Sequence, residues 1–140
     1  MKSIIMLCAA ILVVGCTHSG QPAAGTGDET QATGHEADLA AALSGRTAGS
    51  PQDCVNEGDL GGNKSYGRDV IVFSGRTEEV VYVNRPTGGC GGLDFGRALK
   101  ITTPAAELCR GDIVTVFDPV SGVEYGSCSL GEFTPYRRAR

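Results

Sequence analysis

Cysteine offers the most chemistry in this chain of 140 residues, which carries six of them. Four fall in the C-terminal part: Cys54, Cys90, Cys109 and Cys128. At least 18 residues lie between any two of these. Zinc sites are built from close ligand pairs, and redox-active dithiols from a CxxC spacing. Neither pattern occurs here. Both histidines, His18 and His35, lie upstream of Cys54. A Ser–His–Asp or Cys–His arrangement therefore has no imidazole within this region, and no GxSxG elbow is present. Carboxylates are present, among them Asp94, Glu107, Asp112, Asp118, Glu124 and Glu132. A converging pair could do acid–base work on a glycan. Singly they read as surface acids, with Asp112 opening a strand and Asp118 starting a turn before Pro119. No catalytic set, metal site or cofactor site is expected.

The other two cysteines lie in the opening run MKSIIMLCAAILVVGC. Lys2 supplies a short positive region, and Ser3 to Val14 is almost wholly apolar. That stretch is too short to span a bilayer and has the length of a signal-peptide core. It ends Val13-Val14-Gly15-Cys16, which resembles a bacterial lipobox. The resemblance implies cleavage before Cys16 and lipid attachment at its thiol. Two or three acyl chains anchor firmly where one alone is marginal. Cys8 would leave with the signal. Thr17 in place of Asp leans the anchored protein towards the outer membrane, facing the periplasm. An exported chain with four well-spaced cysteines predicts two structural disulfides. Three pairings are open. The reading favours Cys54–Cys128, which would staple the first element to the last, with Cys90–Cys109 across the least regular stretch.

Composition divides the chain into 1–15, a lipoprotein signal peptide; 16–50, the lipidated Cys and a flexible linker; and 51–140, a folded domain. The linker is rich in Ala, Gly, Thr and Ser and has no aromatic residue. Such a segment buries too little apolar surface to offset its ordering entropy. His35 to Leu43 has helix formers but is short for an isolated helix. All four Phe and all four Tyr lie beyond Pro51. Asp69–Phe73 and Glu79–Asn84 read as a β-hairpin, apolar at successive positions, so both faces should be covered. Leu99–Thr102 is a weak strand, Asp112–Phe117 a strong one, and Val123–Leu130 the last. Thr103–Leu108 reads as one helical turn, capped by Thr103 with Pro104 at its first position. The expected fold is mainly β, a small barrel-like or packed antiparallel sheet domain with one short helical turn and two disulfides.

Several local motifs have plainer readings. The Gly88–Gly92 loop around Cys90 could turn amide N–H groups towards an anion, or simply give a disulfide room. Gly61–Ser65 lacks the Gly before Lys64 that a phosphate loop needs. Tyr82, Tyr125 and Tyr136 could form a contact surface, although Tyr82 and Tyr125 fall in strands where packing is the commoner role. Arg137, Arg138 and Arg140 make a basic end that could meet lipid phosphates, or fray into solvent.

The run Val81–Arg85, Cys90–Leu93, Leu108-Cys109, Asp112–Val116 and Gly126–Pro135, taken with Cys54, resembles a family of small exported proteins and lipoproteins of Gram-negative bacteria. The likeness covers residues 54–136. It departs at Gly91, where Pro is expected, and in an added acidic, Gly-rich stretch near Glu57–Gly62. It implies a compact domain in the envelope and no catalytic residues. The formal net charge of -4 shows no basic stripe and argues against nucleic acid. The expected function is a membrane-anchored, non-catalytic binding or structural module, with an envelope protein or a glycan as partner. The alternatives are an inhibitor of a lysozyme-like enzyme, which Ser121–Tyr125 faintly echoes, and a carboxylate-dependent hydrolase.

Overall fold

The computed structural model describes the backbone from Thr26 to Ala139 and side chains from Gly34 onward. Cys16 and the signal segment lie outside the described residues. The chain runs α1 (Thr26–Leu43), β1 (Arg46–Ala48), β2 (Cys54–Asn56), β3 (Leu60–Tyr66), β4 (Val70–Gly75) and β5 (Val80–Asn84). It continues with β6 (Ala98–Ile101), β7 (Glu107–Cys109), β8 (Ile113–Phe117), β9 (Glu124–Ser129) and β10 (Phe133–Arg138). A five-stranded sheet has the order β1-β10-β5-β4-β3, a three-stranded sheet the order β6-β8-β9, and β2 pairs with β7. Every pairing is antiparallel. The fold is mainly β, as expected.

The β4–β5 hairpin organises the rest. Side chains alternate across a strand, so an unbroken apolar run must be covered on both faces. Ile71, Phe73 and Tyr82 point inward with Phe133 of β10. They meet Leu99, Val114, Val116 and Cys128 of the smaller sheet and Val55 and Leu108 of the β2–β7 pair. The Phe73 and Phe133 rings lie 5.6 Å apart at a tilt of 54°. The opposite face carries Val70, Val72, Val83 and Tyr66, and against it pack Leu39 and Leu43 of α1.

Two expectations are corrected. Residues 26–48 are not a free linker, because they form α1 and the edge strand β1. Thr103–Leu108 is not helical. Its Thr103 hydroxyl accepts from the amide of Ala105 and donates to the carbonyl of Glu107, which makes a tight side-chain turn leading into β7. In α1 the partly buried positions among the described side chains are His35, Leu39 and Leu43. They recur every fourth residue and so form a stripe along one side of the helix. Gly45, at φ 70°, ends it in the left-handed conformation usual at a helix C-terminus. Among the described residues, no helix is long and apolar enough to cross a membrane.

The disulfide pairing also differs from the one favoured by sequence. Cys54 joins Cys109, and Cys90 joins Cys128. Cys54 and Cys109 stand directly opposite each other in the β2–β7 register. The first strand after Pro51 therefore meets β7 rather than the end of the chain. Cys90 and Cys128 are both buried in the core. They come together because Thr87 bridges to Ser129 beside β9. Closing loops of 55 and 38 residues gives each bond about 4 kcal/mol in the loop-entropy account.

The strand β10 replaces the expected frayed end. Pro135 tells against a paired strand, since it has no N–H to donate. Here its carbonyl accepts from Gly49, at 2.7 Å, just where β1 ends. The missing donor thus falls at the margin of the pairing. On the other side Phe133 to Arg137 pair along β5.

Cutting the chain at Pro51 would remove α1 and β1 and bare the outer face of β4 and β5. A protein beginning there should melt well below one beginning at Thr26, with the same disulfides formed. Equal thermal midpoints would show that the helix contributes nothing to the fold.

Candidate functional site

The Gly-rich loop after β5 is held from inside. Cys90 is fully buried and Leu93 nearly so. The Cys90 amide donates to the Arg68 carbonyl at 2.7 Å, and the Gly89 amide to Pro86 at 3.1 Å. Leu93 donates back to Cys90 at 3.3 Å. These amides are engaged within the fold, and the loop's glycines surround a buried disulfide.

Beyond Leu93 the same loop turns outward. Phe95 is 72% exposed, and its neighbours in sequence, Asp94 and Gly96, give its ring no apolar contact. Two residues on, Arg97 donates through Nη1 to the carbonyl of Gly92 at 3.0 Å. The Arg97 guanidinium carbon lies 3.4 Å from the ring centre of Tyr125 and 5.3 Å from that of Phe95. The cation is thus flanked by two aromatic rings, one from the loop and one from β9. Contacts of this kind are worth about 0.5–1 kcal/mol each at exposed sites. Glycine at 92 is required for it, because a Cβ there would stand 2.6 Å from Arg97 Nη1.

The β8–β9 turn lies beside this cluster. Asp118 accepts from the amides of Val120 and Ser121 at 2.7 and 3.0 Å. These two backbone hydrogen bonds, Ser121 first, hold its carboxyl below the usual carboxylate range, and the charge of Arg97 adds to them. Val120 at the tip and Val123 behind it are exposed, as is Tyr125 at 45%. The result is an outward-facing surface of two rings, two valines and one oriented cation.

The other candidates from sequence are dispersed. Tyr82 packs in the main core and Tyr136 on the α1 face, so the three tyrosines form no common surface. Tyr125 is the one left outside, against the expectation of packing. Glu132 and Asp53 both face Arg110, at 2.9 and 3.6 Å. Glu124 pairs with Lys100 at 3.3 Å. Asp112 accepts from the Cys109 amide at 2.7 Å and fixes the turn into β8. Glu107 lies near Cys54 and Cys109, but those sulfurs are bonded to each other and offer no thiolate to a metal. Gly61–Ser65 lies within the edge strand β3, with no helix following it.

Comparison with family models, curated proteins and solved structures returned no match. The reading of this surface therefore rests on its own chemistry. Sequence reasoning missed Phe95 and Arg97. The available signal was a lone Phe in GGLDFGR, where glycines leave it little to pack against.

Asp118 provides a check on the turn. Its folded pKa is depressed, so its contribution is present above the ordinary carboxylate range. That contribution is lost as pH falls through the lowered folded value. A carboxyl-detected NMR titration should place Asp118 below the ordinary carboxylate range, with the Val120 and Ser121 amides moving at the same midpoint. An Asp118 midpoint within the ordinary range would mean the turn is not held this way.

Proposed function

We propose that this protein is a lipid-anchored module of the bacterial cell envelope that works by non-catalytic binding of another envelope protein. One observation carries the binding half of this reading, namely the Phe95–Arg97–Tyr125 stack held out to solvent. Aromatic residues and arginine are the types enriched at the centres of protein interfaces. The platform behind the stack is rigid, because Leu93 and the Cys90–Cys128 bond anchor its loop in the core. A preorganised surface loses less entropy on association. The lipobox-like run ending at Cys16 supports the envelope address, as does the likeness to small exported lipoproteins.

A second reading, inhibition of a lysozyme-like enzyme, is favoured by the position of Ser121–Tyr125. That segment runs from the exposed tip of the β8–β9 hairpin to the stacked ring. A projecting turn of this kind can enter a cleft. It uses the same surface, and an inhibition assay separates it from the first reading.

Two experiments test the proposal. A photo-crosslinking residue in place of Phe95 should capture one protein in intact cells, and Arg97→Glu should abolish the capture while the protein stays folded with both disulfides formed. Labelling only at background, with or without Arg97, would refute the binding surface. Separately, Cys16→Ser should end incorporation of radiolabelled fatty acid and release the protein from the membrane fraction. Persisting label would rule out the anchor.

A further inference from the structure

A different part of the surface, away from the aromatic stack, gathers positive charge. Arg46 of β1 and Arg138 of β10 are direct partners in the antiparallel register. Like charges directly opposite one another destabilise a strand pair. Neither has a carboxylate within 4 Å among the described residues, whereas Arg68, Lys100 and Arg110 each do. Both arginines line a concavity of ≈ 250 Å³. Ser74 and Thr77, two hydroxyl residues, line it as well, and so does Glu78.

The Arg46 guanidinium is locked in place. Nη1 donates to the carbonyl of Glu79 at 3.1 Å and Nη2 to that of Glu78 at 2.9 Å. These bonds tie β1 to the β4–β5 turn and fix the plane of the group. They use two of its five N–H donors. Nε is buried and has no acceptor among the described residues. Nη1 and Nη2 each keep one further N–H. A rigid guanidinium with these donors, a second one opposite, and two hydroxyl residues lining the same concavity are the parts of an oxyanion site.

We propose that this concavity binds a phosphate group, with Arg46 and Arg138 as its paired cations. Phosphate fits better than a carboxylate. Its charge approaches two at neutral pH and its oxygens are tetrahedrally arranged, so they can reach both arginines and a hydroxyl at once. The bound group relieves the repulsion across β1 and β10. Glu78 opposes binding and tunes it to be weak. The phosphate could come from free phosphate or from a lipid headgroup, and the chemistry at the site is the same.

Arg46 also holds the turn, so its replacement could disturb the fold, and the informative variants are at Arg138 and Glu78. The full chain in a neutral detergent is titrated with inorganic phosphate while backbone amides are followed by NMR, with chloride at matched ionic strength as the control. The amides of Ser74, Thr77 and Val80 should shift and saturate with phosphate but not with chloride. Arg138→Gln should weaken the midpoint about tenfold, the loss of one charge-assisted contact. Glu78→Gln should tighten it. Opposite signs from two exposed substitutions are not what general destabilisation produces. A parallel titration uses short-chain phosphatidic acid. Saturation at lower concentration than inorganic phosphate supports the site with a lipid as its source, and equal or weaker binding supports it with free phosphate. No saturable shift with either, or an unchanged midpoint in Arg138→Gln, overturns the proposal.

Discussion

Everything in this fold answers to one constraint. The β4–β5 hairpin is apolar on both faces. A strand pair of this kind cannot rest with one side in water, since each fully buried Val, Ile or Phe is worth about 1.5–3 kcal/mol over its exposed form. Two separate covers are therefore needed. The inner face is closed by the small β6-β8-β9 sheet and the β2–β7 pair. The outer face is closed by α1, through Leu39 and Leu43. Apart from these two and the half-buried His35, the helix is exposed along its described side chains. Its stability comes from that contact rather than from any amphipathic character of its own.

Joining the layers takes polar contacts as well as apolar ones. Asn84 ends β5 with its side chain fully buried. Its amide donates to the Gly131 carbonyl at 2.7 Å and accepts from the Gly131 amide at 2.9 Å. The side chain thus imitates one more backbone pair, continuing the β5–β10 ladder past Phe133. Residue 131 must be Gly, because a Cβ there would collide with the Arg85 carbonyl. A buried amide with both ends satisfied costs little, while losing one partner costs about 1–3 kcal/mol. The two disulfides work on the same problem. They join β2 to β7 and the loop after β5 to β9, contacts distant in sequence whose closure entropy is otherwise large. The rigidity they confer is what lets an exposed Phe95 and a half-buried Arg97 keep fixed positions at the surface.

The legible parts of the structure were those written locally. Val70–Phe73, Val80–Asn84 and Ile113–Phe117 announce strands through β-branched and aromatic runs. Their double-sided burial was also readable, because apolar residues occur at consecutive positions. Strands lacking that chemistry were hidden. β3 is Gly-rich, with Lys64 exposed on an open edge, and β10 contains Pro135 and two arginines. Each is a strand because of its neighbours. The helix is hidden because an Ala-rich, polar segment is marginal alone and gains its stability only from the sheet it covers. The aromatic stack was invisible for a related reason, since Arg97 and Tyr125 come from separate elements.

By itself, then, the amino-acid sequence determined a mainly β domain stapled by four cysteines, with a hairpin demanding cover on both sides. These follow from side-chain volume, branching and the period of the strand, which act over a few residues. The tertiary structure alone decided which cysteines pair, what covers the outer face, and which aromatic rings stay outside. Pairing depends on which strands become neighbours, and that is settled by the packing of all the layers at once. Cys54 meets Cys109 rather than Cys128 because β2 lies against β7, a contact between residues 55 apart.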